Sequence, residues 1–215
     1  NEPNPMKGIW TEAIINTAPS FLGNKDFAYT KLAIIHRQYF TLIKDKLSFV
    51  YRLGYQGTIS GHAPFYIQPY MISSFNKYTI TDGLGGARTL RGILRNRIVG
   101  DAIAYGNFEF RWKFYKTYIW RQNIYFAFNA FADAGKVVKD IDFDKDEAIN
   151  IATQEDPDFN RADYFDTSSD KIHLSYGAGF RIAMNQNFIV SVDYGKTNDT
   201  RDGNSGLYIA LGYLF

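Results

Sequence analysis

Three histidines, His36, His62 and His173, are the chain's whole supply of imidazole, and it has no cysteine. Ser175 stands two residues beyond His173, so on an extended strand the two share a face, which is the least that a serine and a base need for acyl transfer on a lipid. No Gly-x-Ser-x-Gly accompanies them, and no carboxylate stands beside His173 by strand parity. The pair therefore reads as a hydrogen-bonded filler, a lipid-modifying enzyme is the remote alternative, and no catalytic residue or cofactor is assigned. Asp142, Asp144 and Asp146 alternate like the start of a calcium loop. No glycine follows at the turn and no glutamate closes it, so a solvated acidic loop is expected and no metal site.

The charged residues with the most to say lie on alternating segments. From Asn107 to Phe114 the side chains Phe108, Phe110, Trp112 and Phe114 take one side, and Asn107, Glu109, Arg111 and Lys113 the other. A dry core would not accept Glu109, Arg111 and Lys113 together, whereas a polar, ion-paired lumen accepts them and hydrocarbon takes the aromatics. Ile172 to Met184 repeats the pattern, with Ile172, Leu174, Tyr176, Phe180 and Ile182 opposite His173, Ser175, Gly177, Gly179 and Arg181. Gly206 to Phe215 does so again, placing Leu207, Ile209, Leu211, Tyr213 and Phe215 together. That ending has the form by which outer-membrane barrels present a last strand to their insertion machinery. A soluble sandwich is the competing reading, with the aromatic face as its core.

Composition points to the bilayer. Aromatic residues make up 17% of 215 residues at a mean hydropathy of -0.28, and no apolar run reaches the roughly 18 residues of a membrane helix. A membrane protein without such a run must cross as a closed sheet, because only helices and edge-free barrels satisfy every backbone group in lipid. The absence of cysteine suits passage through an oxidising periplasm. Asn1 to Pro5 shows no basic, apolar leader, so the numbering is expected to begin after a removed signal peptide. The net charge of +2 hides a division, because eleven of the 22 acidic residues fall between Asp140 and Asp170. The surplus basic residues are scattered over strands instead of forming a stripe, which argues against nucleic acid as a partner.

Alternation predicts eight strands: Gly8–Ala18, Phe27–Leu42, Lys46–Ile59, Asp101–Tyr115, Asn123–Val137, Lys171–Asn185, Asn187–Lys196 and Gly206–Phe215. Short connections alternate with long ones at about 56–100, 138–170 and 197–205, as in barrels with tight periplasmic turns and long outer loops. Both termini are then periplasmic. Tyr39, Phe40, Tyr115, Tyr118 and Trp120 are expected in the interfacial girdles. No linker or low-complexity stretch divides the chain, and residues 1–215 are read as one barrel domain.

The long connection contains Gly83, Leu84, Gly85, Gly86, Ala87, Arg88, Thr89, Leu90, Arg91, Gly92 and Ile93, and two predicted strands later come Phe131, Ala132, Asp133, Ala134 and Gly135. Here the chain resembles the C-terminal half of the barrel of the BamA and TamA superfamily, the bacterial surface antigen family. Its members carry a Val/Leu-Arg-Gly-Tyr/Phe motif on a loop folded into the lumen and a Phe-x-Asp-x-Gly motif facing it. The resemblance implies a non-enzymatic outer-membrane barrel related to protein insertion and translocation, with Arg91 meeting Asp133. A passive structural or interaction barrel is the alternative. Physical logic supports the pairing: an arginine inside a barrel loses hydration, and a facing carboxylate offsets that cost. Asp133 has inward parity, and Gly85, Gly86 and Gly92 give the loop slimness. Ile93 departs from the family's Tyr or Phe, and neither POTRA domains nor the usual sixteen strands are read in these residues. Eight strands can close alone or join a second copy in a sixteen-strand ring. Outer-membrane lipid and, during biogenesis, the barrel assembly machinery are the further partners implied, with no client specified.

Overall fold

The computed structural model describes residues 4–23, 25–74, 79–142, 145–156, 160, 170–185 and 187–215. Its strands are β1 (Gly8–Ala18), β2 (Tyr29–Ile43), β3 (Leu47–Gly61), β4 (Tyr70–Ser74), β5 (Thr79–Asp82), β6 (Ala102–Ile119), β7 (Gln122–Lys139), β8 (His173–Met184), β9 (Phe188–Thr197) and β10 (Ser205–Leu211), with an α-helix, α1 (Lys145–Glu155), between β7 and β8. Eight of the strands form a single sheet in the order β1-β2-β3-β6-β7-β8-β9-β10, each antiparallel to its neighbour. The hairpin β4–β5 belongs to the connection between β3 and β6.

The alternation expected from sequence is borne out, and it runs the barrel way, with charge inside. On β7 the outward residues Ile124, Phe126, Phe128, Ala130, Ala132 and Ala134 are wholly apolar, while Asn129, Phe131 and Asp133 are buried. Beyond Ala134 comes the exposed, outward Lys136. The ten steps from Ile124 to Ala134, rising ~3.3 Å each and tilted ~40°, span ~25 Å, the height of a barrel's hydrocarbon belt. Among the described residues no helix is long and apolar enough to cross a membrane.

The largest departures from the alternation pattern are two strand ends and the placement of one side chain. β6 continues to Ile119 and meets β7 through the two-residue turn Trp120–Arg121, where both residues have positive φ (50° and 63°). A register shift between Lys113 and Tyr115 breaks the alternation there, so periodicity ends a few residues early. β10 ends at Leu211 instead of Phe215. Tyr39, expected in the girdle, is instead buried on the lumen side with Val50 and Phe215, whereas Phe40 next to it is exposed.

The short turns after β2, β6 and β8 lie at the rim that also carries both chain ends; the long connections leave the other rim. β1 and β10 are the outer strands of the sheet and are not hydrogen-bonded to each other. Asp142, of the acidic triplet, binds Gln68 through its backbone N–H (2.7 Å); Asp144 lies outside the described residues, and no group of three candidate metal ligands occurs among the described ones.

Candidate functional site

The connection from β3 to β6 turns back between the walls of the sheet. Its apolar side packs Met71, Leu84, Leu90, Ile93 and Ile98 against Ile103, Tyr105 and Val137 of β6 and β7. Two glycines make the path sterically open. Gly85, at φ 121°, would put a Cβ 2.0 Å from the Leu94 carbonyl oxygen. Gly92, at φ 94°, lies against Gly195 of β9 so closely that a Cβ would come within 2.8 Å of the Gly195 carbonyl carbon. Thr89 fixes the turn by accepting the Gly85 N–H (2.8 Å) and donating to the Gly85 carbonyl (3.0 Å). Gly92 N–H then donates to the Tyr208 hydroxyl on β10 (2.9 Å).

Arg91 is thereby carried to the middle of the lumen, 1% exposed. Asp133 accepts from its backbone N–H (3.0 Å), its Nε (2.9 Å) and one terminal nitrogen (3.0 Å). The other terminal nitrogen donates to Glu109 at 2.6 Å and approaches Asp193 at 3.5 Å. The Phe131 ring lies beneath the guanidinium, whose carbon is 3.5 Å from the ring centre. Gly135 has no side chain where the δ-methyls of Leu90 and Leu84 sit, 2.7 and 2.8 Å from where its Cβ would be. The period of two on β7 thus gives the loop a ring to lie on, a carboxylate to bind and a gap to fill.

The pair sits in a wider buried network. Glu109 bridges Arg91 to Arg111 (2.7 Å); Asp193 takes both terminal nitrogens of Arg181 (2.7 and 2.8 Å). Arg52 donates to Asn107 (2.8 Å) and to the Arg88 carbonyl (2.8 Å), and Asn107 in turn donates to the Thr89 carbonyl (2.6 Å). Four buried arginines, 52, 91, 111 and 181, therefore face three buried carboxylates, 109, 133 and 193. Such a cluster is costly to bury and more costly to break at one partner. Its chemistry is bracing and positioning.

At the far end of the chain, Leu207, Ile209 and Leu211 point outward, 66%, 73% and 70% exposed. Gly212, at φ 90°, turns the chain off that line. Tyr213 and Phe215 enter the lumen: the Arg111 guanidinium carbon lies 4.1 Å from the Tyr213 ring centre, and Arg111 donates to the Phe215 carbonyl at 3.1 Å. β9 begins at Phe188, opposite the residues just beyond Leu211, so little ladder remains to hold the last residues straight.

The histidines fall in three places. His36 faces outward on β2 and contacts Thr11; His62 lies 3.3 Å from Asp142. His173, which sequence parity left without carboxylates, has two: Asp202 at Nδ1 (2.7 Å) and Asp170 at Nε2 (3.0 Å). With both ring nitrogens occupied, the His173–Ser175 pair has no base to offer, and Ser175 is buried with its hydroxyl unbonded. Sequence reasoning missed Arg181–Asp193 and the buried Lys31, which donates to the carbonyls of Ile67 (3.1 Å) and Gln68 (2.6 Å). Opposite charges at inward parity on neighbouring strands were the signal for the first; nothing local marks the second.

An antiparallel sheet with charge inside, aromatics outside and a loop arginine braced in its lumen is the wall of an outer-membrane barrel. Compared with protein families, residues 1–215 match the Omp85 superfamily domain throughout. The chain belongs to the Omp85 superfamily, in agreement with the BamA- and TamA-like motifs. No curated protein and no solved structure matches it. Omp85 members are bacterial outer-membrane proteins, in general insertion and translocation barrels rather than enzymes.

Proposed function

We propose that this chain is a non-enzymatic barrel of the bacterial outer membrane that takes part in inserting or translocating other polypeptides, with the Arg91 loop as the brace that sets the shape of its lumen. The observation carrying this reading is the lock of Arg91 onto Asp133 and Glu109, within a chain that matches the superfamily along its length. The residues of the brace are Gly85, Gly86, Leu90, Arg91 and Gly92 on the loop and Phe131, Asp133 and Gly135 on the wall. Leu207, Ile209, Leu211, Tyr213 and Phe215 form an insertion signal that the assembly machinery reads on the unfolded chain, before Tyr213 and Phe215 turn inward.

The edges β1 and β10 need partners in lipid, either each other or those of a second copy. The mass of the detergent-solubilised particle tells one copy from two. For activity, the purified protein is placed in vesicles and the folding of a client barrel is followed. Acceleration over empty vesicles, reduced in Asp133→Ala, supports the reading. No acceleration would favour a passive structural barrel, the second reading, which draws support from a lumen filled by the loop and by the Tyr213–Phe215 tail.

A further inference from the structure

On the outer, lipid-facing side of β1, β2 and β3 lies a polar island. Thr11 shares a hydrogen bond with His36 Nδ1 (2.8 Å), and the Tyr51 hydroxyl donates to Gln38 Oε1 (2.5 Å). The His36 and Tyr51 rings are 5.8 Å apart. Cross-strand pairing holds them together: Thr11 is opposite His36, Gln38 is opposite Tyr51, and Tyr51 is opposite Phe108. Along each strand the next outward residues are apolar, with Ile9 on β1, Ile34 and Phe40 on β2, and Phe49 and Leu53 on β3. The island is therefore enclosed within the hydrocarbon-facing belt and is not at a headgroup rim. The lumen machinery makes no use of it.

A histidine and an amide in such a position are expensive to leave against acyl chains. The Gln38 amide nitrogen keeps two N–H donors that have no acceptor among the described residues. Whatever covers the island must offer hydrogen-bond acceptors at mid-membrane depth, which acyl chains do not. The patch itself offers them. An amide is both donor and acceptor, so it complements a copy of itself, as an isologous contact requires. A two-fold axis along the membrane normal would place two such walls face to face with the short turns of both copies on the same side.

We propose that the outer wall of β1–β3 is a contact surface for a second copy of this chain, centred on Thr11, His36, Gln38 and Tyr51. The contact is wall to wall and is separate from closure of the sheet at the β1 and β10 edges.

The absence of cysteine makes single-cysteine cross-linking a clean test in lipid vesicles. Thr11→Cys should give a disulfide-linked dimer, and adding His36→Leu with Gln38→Leu should lower its yield at least tenfold. Heat-modifiable gel mobility reports that the triple variant still folds; should it not, Gln38→Met replaces the leucine pair. Ile209→Cys on β10 marks an edge contact. A Thr11→Cys yield unchanged by the apolar replacements would overturn the proposal. So would the absence of any Thr11→Cys dimer, with or without a dimer through Ile209→Cys, and so would cross-linking of Thr11→Cys to a different polypeptide.

Discussion

Replacing Asp133 with alanine removes the acceptor of three hydrogen bonds from Arg91, two from the guanidinium and one from the backbone. Both residues are 1% exposed, so water does not substitute for the lost carboxylate. Deleting one partner of a buried pair costs ~3–5 kcal/mol. The lower part of that range applies, because Glu109 stays at 2.6 Å on the other terminal nitrogen and still neutralises much of the charge. At ~1.4 kcal/mol per decade, about 3 kcal/mol corresponds to roughly a hundredfold rise in the population of loop-out states. Hydrogen exchange on the purified barrel in nanodiscs reads this directly. Amides from Gly85 to Ile98 should lose about two decades of protection, while those of β7 and β8 keep theirs. A second variant, Arg91→Met with Asp133→Leu, removes both charges and should recover most of the protection, since apolar replacement of a buried pair is often neutral. Loop protection within threefold of wild type in Asp133→Ala would refute the claim that this pair holds the loop.

Gly92→Ala meets backbone on β9 and a positive φ at once, so the loop should unseat and become cleavable by protease added outside, with the sheet intact. Tyr213→Ala takes a buried ring off Arg111 and out of the cluster with Tyr125, Ala127, Ala183 and Ile189; a loss of about 3 kcal/mol is expected for such a truncation, read as a lower midpoint in urea-induced unfolding in detergent. His173, paired with Gly135 just past the end of the Ile124–Ala134 belt, is drawn below its ordinary value by partial burial but carried above it by its bonds to Asp202 and Asp170. A raised value in the folded state means the stabilisation is present below the ordinary histidine range, ~6.5, and is lost as pH climbs through the folded value. The amides of Leu94 and Val137, which donate to the Asp202 carbonyl and the Asp170 carboxylate, should therefore lose protection on the alkaline side, beyond the intrinsic rise in exchange, and His173→Gln should abolish that pH step.

Much of the site was legible because period two is a strong constraint. Once β7 alternates, Phe131, Asp133 and Gly135 must share a side, and the side bearing Asp133 must be the one that meets polar groups. Arg91 could be placed opposite them because its glycine-rich loop and the Phe-x-Asp-x-Gly strand come in an order that a family motif makes specific. The carboxylates of His173 were not legible, since Asp202 reaches it from a connection 29 residues further on and no parity rule spans two strands and a loop.

What the sequence by itself determined is sidedness: apolar and charged residues alternate at the strand period, and the backbone has no other way to separate them. What only the tertiary structure decided is who meets whom inside. Glu109 serves two arginines, Asp193 serves Arg181 while lying near Arg91, and the tail turns in at Gly212 to stack on Arg111. Alternation assigns a face but not a partner, because partners are set by strand register and by the path of a loop, and both are settled only when the whole wall is assembled.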